Sequence, residues 1–312
     1  MGSSFGHESP SSDSSAGVSA VIFSVCIPTY SRRQDLLATM RAVSDQLFEG
    51  TELVVSDNGS ADGTADAVRA FIAANPGAPI RLITQAENVG FDRNLLAVVA
   101  NARGEYCWLL GDDDIPRPGA LARVVTEVRQ RPTVAHLLVN YARCDAASRR
   151  ITKERMIAVE SDLNTQSASD FFFRPIPQPS YFRRLGTNVI TMSANVVQRS
   201  RWLEEAGKAE PFVGCNMIHV FIIAAMLAAG GRTRFIAEPQ VDYLCNNHRA
   251  WSNDVWLDYR TKVYGLLRQL GYDSVGLAAV EAEEITHRTW RSVARSIRDW
   301  FFSSETQPRL GA

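Results

Sequence analysis

Three aspartates in succession, Asp112, Asp113 and Asp114, stand directly behind the apolar run of "LLGDDDIPRPG" at residues 109–119. Adjacent carboxylates raise the free energy of one another's ionised forms. Two arrangements relieve that repulsion. One is solvation in a turn or at a helix N-terminus, where Asp is a favoured cap. The other is a shared cation. Adjacent Asp side chains are hard oxygen donors suited to Mg2+ or Mn2+, and such an ion can bridge phosphate oxygens.

The surrounding elements choose between the two. "VIFSVCIP" (21–28) is an apolar, β-rich run closed by Pro28, which predicts a buried first strand. Leu36, Met40, Val43 and Leu47 follow at helical spacing. "ELVVS" (52–56) is a second strand, ended by the turn residues "DNGSADGT" (57–64). A helix over "ADAVRAFIAAN", a strand "IRLIT" (80–84), a helix "FDRNLLAVVANA" (91–102) and a strand "EYCWLL" (105–110) complete the series. Alternating strands and helices imply right-handed crossovers and a largely parallel sheet, whose ligands lie outside the carboxyl ends of the strands. Thr29 and Tyr30 follow the first strand, Asp57 and Asn58 the second, and the three aspartates the fourth. Such convergence on one sheet edge is not needed by a solvated turn, and it favours the cation. Neither GxGxxG after the first strand nor GxxxxGK[ST] is present, so the usual dinucleotide and P-loop fingerprints do not apply.

Bulk composition sets the class. The 312 residues are 46% hydrophobic and 21% charged, ordinary for a globular enzyme, and the net charge of −1 gives no electrostatic case for nucleic acid. Five widely spaced cysteines without a CxxC pair fit reduced thiols in a cytoplasmic protein. Residues 1–19 are Ser-rich and read as a disordered tail without the apolar core of a signal peptide. The longest apolar run, "MIHVFIIAAMLAAGG" (217–231), falls short of the ~20 residues that span a bilayer and reads as a buried helix.

The blocks "FSVCIPTYSRRQDL", "VVSDNGSADGT" and "NVGFDRNLLAVVANARGEYCWLLGDDDIPRPGAL" resemble the successive signature blocks of the family-2, GT-A-fold nucleotide-sugar glycosyltransferases. "LGDDD", together with "DNGS", most resembles bacterial surface-polysaccharide enzymes of abequosyltransferase-like type. The resemblance implies an α/β GT-A (Rossmann-like) fold, a mostly parallel sheet flanked by helices with a helical C-terminal extension. It divides the chain into a GT-A domain at 20–254, with a nucleotide-binding half at 20–122 and an acceptor half at 123–254, and a helical segment at 255–312. It implies a nucleoside-diphosphate sugar donor (UDP-, CDP-, dTDP- or GDP-linked) and Mn2+ or Mg2+ as cofactor. Pro28, Thr29 and Tyr30 would lie along base and ribose, with the Tyr30 ring as a stacking face. Asp57 and Asn58 would hydrogen-bond the base, Asn88 and Gly90 would shape the adjoining loop, and Arg93 would be the basic residue near the nucleotide. Gly111 replaces the first Asp often seen in the family, which leaves Asp112 for the ribose, Asp113 as principal metal ligand and Asp114 beside it.

In the acceptor half, the stretch matching the family's acidic pair is "GCNMIHVFIIAAML", which lacks one. His219 is the expected general base, with Glu210 in reserve. A lone His in an apolar run is also a common core residue. In "YLCNNHRAWSND" (243–254), His248 would complete the metal shell and Arg249 contact the diphosphate, unless this is an ordinary surface loop. The helix expected at 287–302 separates aromatic from arginine positions, which suits either internal packing or an anionic membrane surface. The expected activity is metal-dependent, inverting transfer of a sugar to a hydroxyl of a glycan or lipid-linked acceptor. The expected location is cytoplasmic, either free or peripheral on the inner face of the cytoplasmic membrane. A non-catalytic nucleotide-sugar-binding or scaffold protein and a nucleotidyltransferase are the competing readings.

Overall fold

A computed structural model describes residues 22–177, 184–245 and 262–282. The expected tail at 1–19, His248, Arg249 and the helix at 287–302 lie outside the described residues.

Strand β1 (Phe23–Thr29) is buried along its whole length, as its apolar run requires for a strand covered on both faces. Helix α1 (Arg33–Ser44) packs Leu36, Met40 and Val43 inward at the spacing of one helical face. There follow β2 (Thr51–Asp57), α2 (Thr64–Ala74), β3 (Ile80–Thr84), α3 (Phe91–Asn101) and β4 (Tyr106–Leu109). β1 pairs in parallel with β2 on one side and β4 on the other, and β3 lies outside β2. The order of strands therefore reverses at β1, which opens a crevice between the carboxyl ends of β1 and β4.

Beyond that crevice the chain forms β5 (Ile115–Pro116), α4 (Ala120–Gln130), β6 (Val134–Asp145), β7 (Ile151–Lys153), β8 (Leu163–Asn164) and α5 (Ala168–Phe173). Then come β9 (Asn195–Gln198), α6 (Arg199–Ala206), α7 (Ile218–Ala228) and β10 (Arg232–Cys245). β9 runs antiparallel between β4 and β6, β10 lies parallel to β6, and β5 closes the edge antiparallel to β10. Both halves thus share one mostly parallel sheet flanked by helices. Trp108 of β4 is fully buried and donates to Ser193 O at 2.8 Å, which fixes β9 against the nucleotide-side strands. α7 buries every residue from Ile218 to Ala224, as expected of its sequence. Residues 262–269 and 274–282 are helical, and Tyr272 between them donates to Ala224 O at 2.7 Å. No helix among the described residues is long and apolar enough to cross a membrane.

Candidate active site

At the end of β1 the chain turns through Ser31, which holds a left-handed φ of 51°, before α1 begins. The turn sends Arg32 back over the crevice. Arg32 Nη1 donates to Asp112 Oδ1 and Nη2 to Asp113 Oδ2, each at 2.7 Å. Thr29 Oγ1 donates to Asp112 Oδ2 at 2.8 Å, and Thr39 Oγ1 to the Asp112 carbonyl at 3.1 Å. Burial raises the Asp112 pKa to about 6, with the Asp113 charge adding to the rise while Arg32 and Thr29 oppose it. Burial also disfavours the Arg32 charge, but the two carboxylates outweigh it and hold the guanidinium protonated.

Asp114 faces inward. Its Oδ2 accepts from Ser193 Oγ and its Oδ1 from Leu244 N at 2.9 Å, so this side chain clamps β10 and the start of β9 to the end of β4. Burial, reinforced by Asp113, lifts its pKa to about 8. The same cluster explains Gly111. Its N–H donates to Ser193 Oγ at 2.8 Å, and a Cβ there would stand 2.7 Å from Asp114 Oδ2. Gly111→Ala is expected to break the Asp114–Ser193 contact and lower stability by about 2 kcal/mol, the usual cost of overpacking. A denaturation midpoint unchanged from the parent would show that the cluster repacks freely.

On the nucleotide side, Asn58 Nδ2 donates to Asn88 Oδ1 at 2.8 Å, and Asn58 Oδ1 accepts from Val89 N at 2.9 Å. Gly90 N, at the left-handed φ of 85° that favours glycine, donates to Asn88 Oδ1 at 2.9 Å. These bonds shape loop 88–90, while the backbone atoms of Asn58 join the end of β2 to β1. Asp57 is buried off the cavity wall, where it accepts from Ser60 Oγ and Ser60 N to set the turn after β2. Asn94 was not singled out from sequence. Its Nδ2 bridges the Thr29 and Ser56 carbonyls at 3.3 and 3.0 Å, which ties α3 to the ends of β1 and β2. Tyr30 stands half exposed at the rim with its ring open to a ligand.

On the acceptor side, Asp92 of α3 reaches across to the loop that leads into α7. Its Oδ2 accepts from Gly214 N at 2.7 Å and Asn216 N at 2.9 Å, and its Oδ1 from Ile218 N at 3.2 Å. His219 is buried one residue further on. Its Nε2 lies 3.3 Å from Ile190 O, so Nε2 carries the proton and the lone pair is on Nδ1. Nδ1 has no partner among the described residues and is closed to solvent, and burial lowers the imidazole pKa to about 4.

These elements enclose a cavity of about 890 Å³. Pro28, Thr29, Tyr30, Asn58, Asn88 and Gly90 line one end, and Arg32, Asp112 and Asp113 the floor, which Asp114 borders with its carboxylate turned inward; Tyr141, Met156, Met192, Asn216, Met217 and His219 line the far side. Arg93 and Glu210 are not brought to the wall. They pair with each other at 2.5 Å, 49% and 65% exposed. On α3 it is Asp92 and Asn94 that turn inward, and Arg93 between them points to solvent.

The signature described as Glycosyl transferase family 2 matches residues 24–203, more than half of the chain. The chain belongs to this family. Abequosyltransferase RfbV of Salmonella typhimurium is 26% identical over 227 residues, which cover 71% of this chain and 66% of RfbV. An uncharacterized glycosyltransferase of Haemophilus influenzae is 20% identical over 131 residues, 42% of each chain. The chain thus spans just under two thirds of the length of one curated relative and less than half of the other. Among solved structures, S. aureus TarS 1–349 superposes with a TM-score of 0.63 at 12% identity, covering 92% of this chain and 75% of TarS 1–349. TarS 1–349 has also been solved with UDP (TM-score 0.61) and with UDP-GlcNAc (TM-score 0.57), covering 91% and 84% of this chain and 73% and 71% of that one. The likeness establishes a GT-A-like fold for this glycosyl transferase family 2 member.

The family implies a divalent metal, and the chemistry of the donors tests the fit. Asp112 and Asp113 present adjacent hard oxygens on the cavity floor, which suits Mg2+ or Mn2+ held by one or two carboxylates with ligand phosphates completing the shell. Asp114 does not fit as a ligand, because both its oxygens are engaged inward. No group of three or more His, Cys, Asp or Glu side chains among the described residues forms a metal cage by itself. Arg32, missed in the sequence reading, is the cation now on the two carboxylates, and the repeated arginines of "YSRRQ" are its only trace in sequence.

Proposed function

We propose that this protein is an inverting glycosyltransferase that moves a sugar from a nucleoside-diphosphate donor to a hydroxyl of a bacterial surface glycan. The observation that carries this reading is a cavity at the strand-order reversal, which unites the Tyr30 rim, the Asp112–Asp113 floor and buried His219. The RfbV relative and the complexes of TarS with UDP and UDP-GlcNAc support it.

In this reading Tyr30 stacks on the base and loop 88–90 closes beside it, while Asp112 meets the ribose. Asp113, with Asp112, would hold Mn2+ or Mg2+, which when bound supplies positive charge to a departing diphosphate. His219 lines the far side of this cavity, and a local movement that opens its buried Nδ1 to the acceptor would let it take the acceptor O–H proton as the acceptor oxygen bonds to the anomeric carbon. The bond from that carbon to the diphosphate oxygen breaks on the opposite face, and the nucleoside diphosphate leaves with the bonding pair. The far wall carries Arg143, which makes no ion pair among the described residues and would suit an anionic, lipid-linked acceptor presented at the cytoplasmic face of the membrane.

The test is a thermal-shift panel of UDP, CDP, dTDP and GDP with and without Mn2+, followed by transfer assays on His219→Gln and Glu210→Gln. One nucleotide should stabilise the fold by about 2.7 kcal/mol at a hundred times its dissociation constant. His219→Gln should lower kcat about 100-fold or more, the usual contribution of a general base, with nucleotide binding unchanged. With its pKa near 4, His219 should add no protonation limb near pH 6.5 to the parent's kcat profile. A loss confined to Glu210→Gln would move the base there, and nucleotide binding without any transfer would favour the scaffold reading.

A further inference from the structure

The two carboxylates on the cavity floor are not waiting as bare anions. One guanidinium spans them, with one N–H to each at 2.7 Å, and Arg32, Asp112 and Asp113 are only 9–15% exposed. The planar guanidinium gives a separate charge-assisted N–H to each carboxylate, an arrangement that the point-like ammonium of Lys does not reproduce. The oxygens available to another cation are correspondingly few. Asp112 gives Oδ1 to Arg32 and Oδ2 to Thr29, and Asp113 gives Oδ2 to Arg32. Among the described residues, Asp113 Oδ1 alone of these four has no donor. A divalent ion arriving by itself would find one free oxygen and face a positive guanidinium.

A nucleoside diphosphate changes this balance. Its phosphate oxygens are acceptors for the same guanidinium, and Arg32 lines the cavity at the start of α1, so a rotation of its side chain would exchange one anion for the other. We propose that Arg32 is a displaceable counter-cation: in the free protein it holds the place of a divalent metal between Asp112 and Asp113, and it yields that place when a nucleoside diphosphate takes up the guanidinium. The nucleotide step rests on the donor reading above. Metal and nucleotide then strengthen one another's binding, because each removes an obstacle to the other.

Mn2+ binding, followed by the free-ion EPR signal against protein-free controls, tests the proposal without any turnover. Parent protein, Arg32→Ala and Arg32→Gln are titrated with Mn2+ alone and then with UDP, CDP, dTDP or GDP present. Without nucleotide, Arg32→Ala should bind Mn2+ at least tenfold more tightly than the parent. If Arg32→Ala does not fold, Arg32→Gln, which keeps a hydrogen-bonding side chain but no charge, should show the same gain. In the parent, one nucleotide should raise Mn2+ affinity at least tenfold, and in the variants the same nucleotide should raise it by much less. Equal Mn2+ affinity in parent and folded variants without nucleotide, including no binding by any of them, overturns the proposal. A gain in the variants with no nucleotide effect in the parent supports the counter-cation and overturns the donor reading instead.

Discussion

Asp113→Ala is expected to abolish the metal-linked stabilisation by nucleotide while leaving the fold standing. Asp113 makes one side-chain contact among the described residues, the bond from Arg32, and Arg32 keeps its bond to Asp112 when Asp113 is shortened. The loss of folding stability should be about 1 kcal/mol or less, as for a partly exposed ion pair. The functional loss should be far larger. If Asp113 is the principal ligand of a metal that neutralises a leaving diphosphate, removing it should cost about 100- to 1,000-fold in kcat, the usual range for one electrostatic contributor. The shift of about 2.7 kcal/mol with nucleotide and Mn2+ should vanish in the same variant. Thermal shift and transfer rate, measured on one preparation, separate this outcome from simple unfolding. A variant that keeps its metal-dependent shift removes Asp113 from the metal site.

Asp92→Ala is expected to be the most destabilising single change at the site. The carboxylate is buried and accepts three backbone N–H groups, from Gly214, Asn216 and Ile218. It also places negative charge at the N-terminus of α7, where the helix dipole favours it. Without it the three N–H groups lose their acceptor at once, and unmade buried hydrogen bonds cost about 1–3 kcal/mol each, so a total near 4 kcal/mol is expected. The loop is poorly placed to hold itself, since Gly214 and Asn216 both have left-handed φ values, 94° and 58°. Because this loop carries Asn216 and Met217 on the cavity wall and leads into His219, transfer should fail even where the variant still folds. Asp92→Asn, which keeps one acceptor oxygen, should lose about half as much. Urea denaturation of the three proteins provides the comparison, and a parent-like midpoint for Asp92→Ala would mean that the loop is anchored elsewhere.

These two residues differ in how visible they are in sequence. Asp113 follows a strand-like run in an alternating pattern, so its place at a strand end is legible from local order. Asp92 resembles any acidic residue in the first turn of a helix, and its partners lie more than a hundred residues away. Arg93 shows the same limit from the other side. Family likeness points to it, but the phase of α3 turns its neighbours inward and leaves it with Glu210 at the surface. Sequence order places Asp114 with its neighbours, yet the chain turns between them, so its carboxylate holds Ser193 and Leu244 N instead of facing the cavity floor. The four residues of β9 carry too short a pattern to be recognised alone, and that strand depends on β4 and β6 to exist.

The sequence by itself determined the fold class, the parallel order of the first strands and the edge on which chemistry gathers. Those follow from apolar runs, helical spacing and turn residues, all set within a dozen neighbours. Only the tertiary structure decided which charges meet there. Arg32 bonds Asp112 across 80 positions and Asp92 caps α7 across 126, because β1 lies beside β4 and α3 lies against the loop entering α7. A pairing at that distance depends on the direction each side chain takes once the sheet has formed, and local pattern does not encode it.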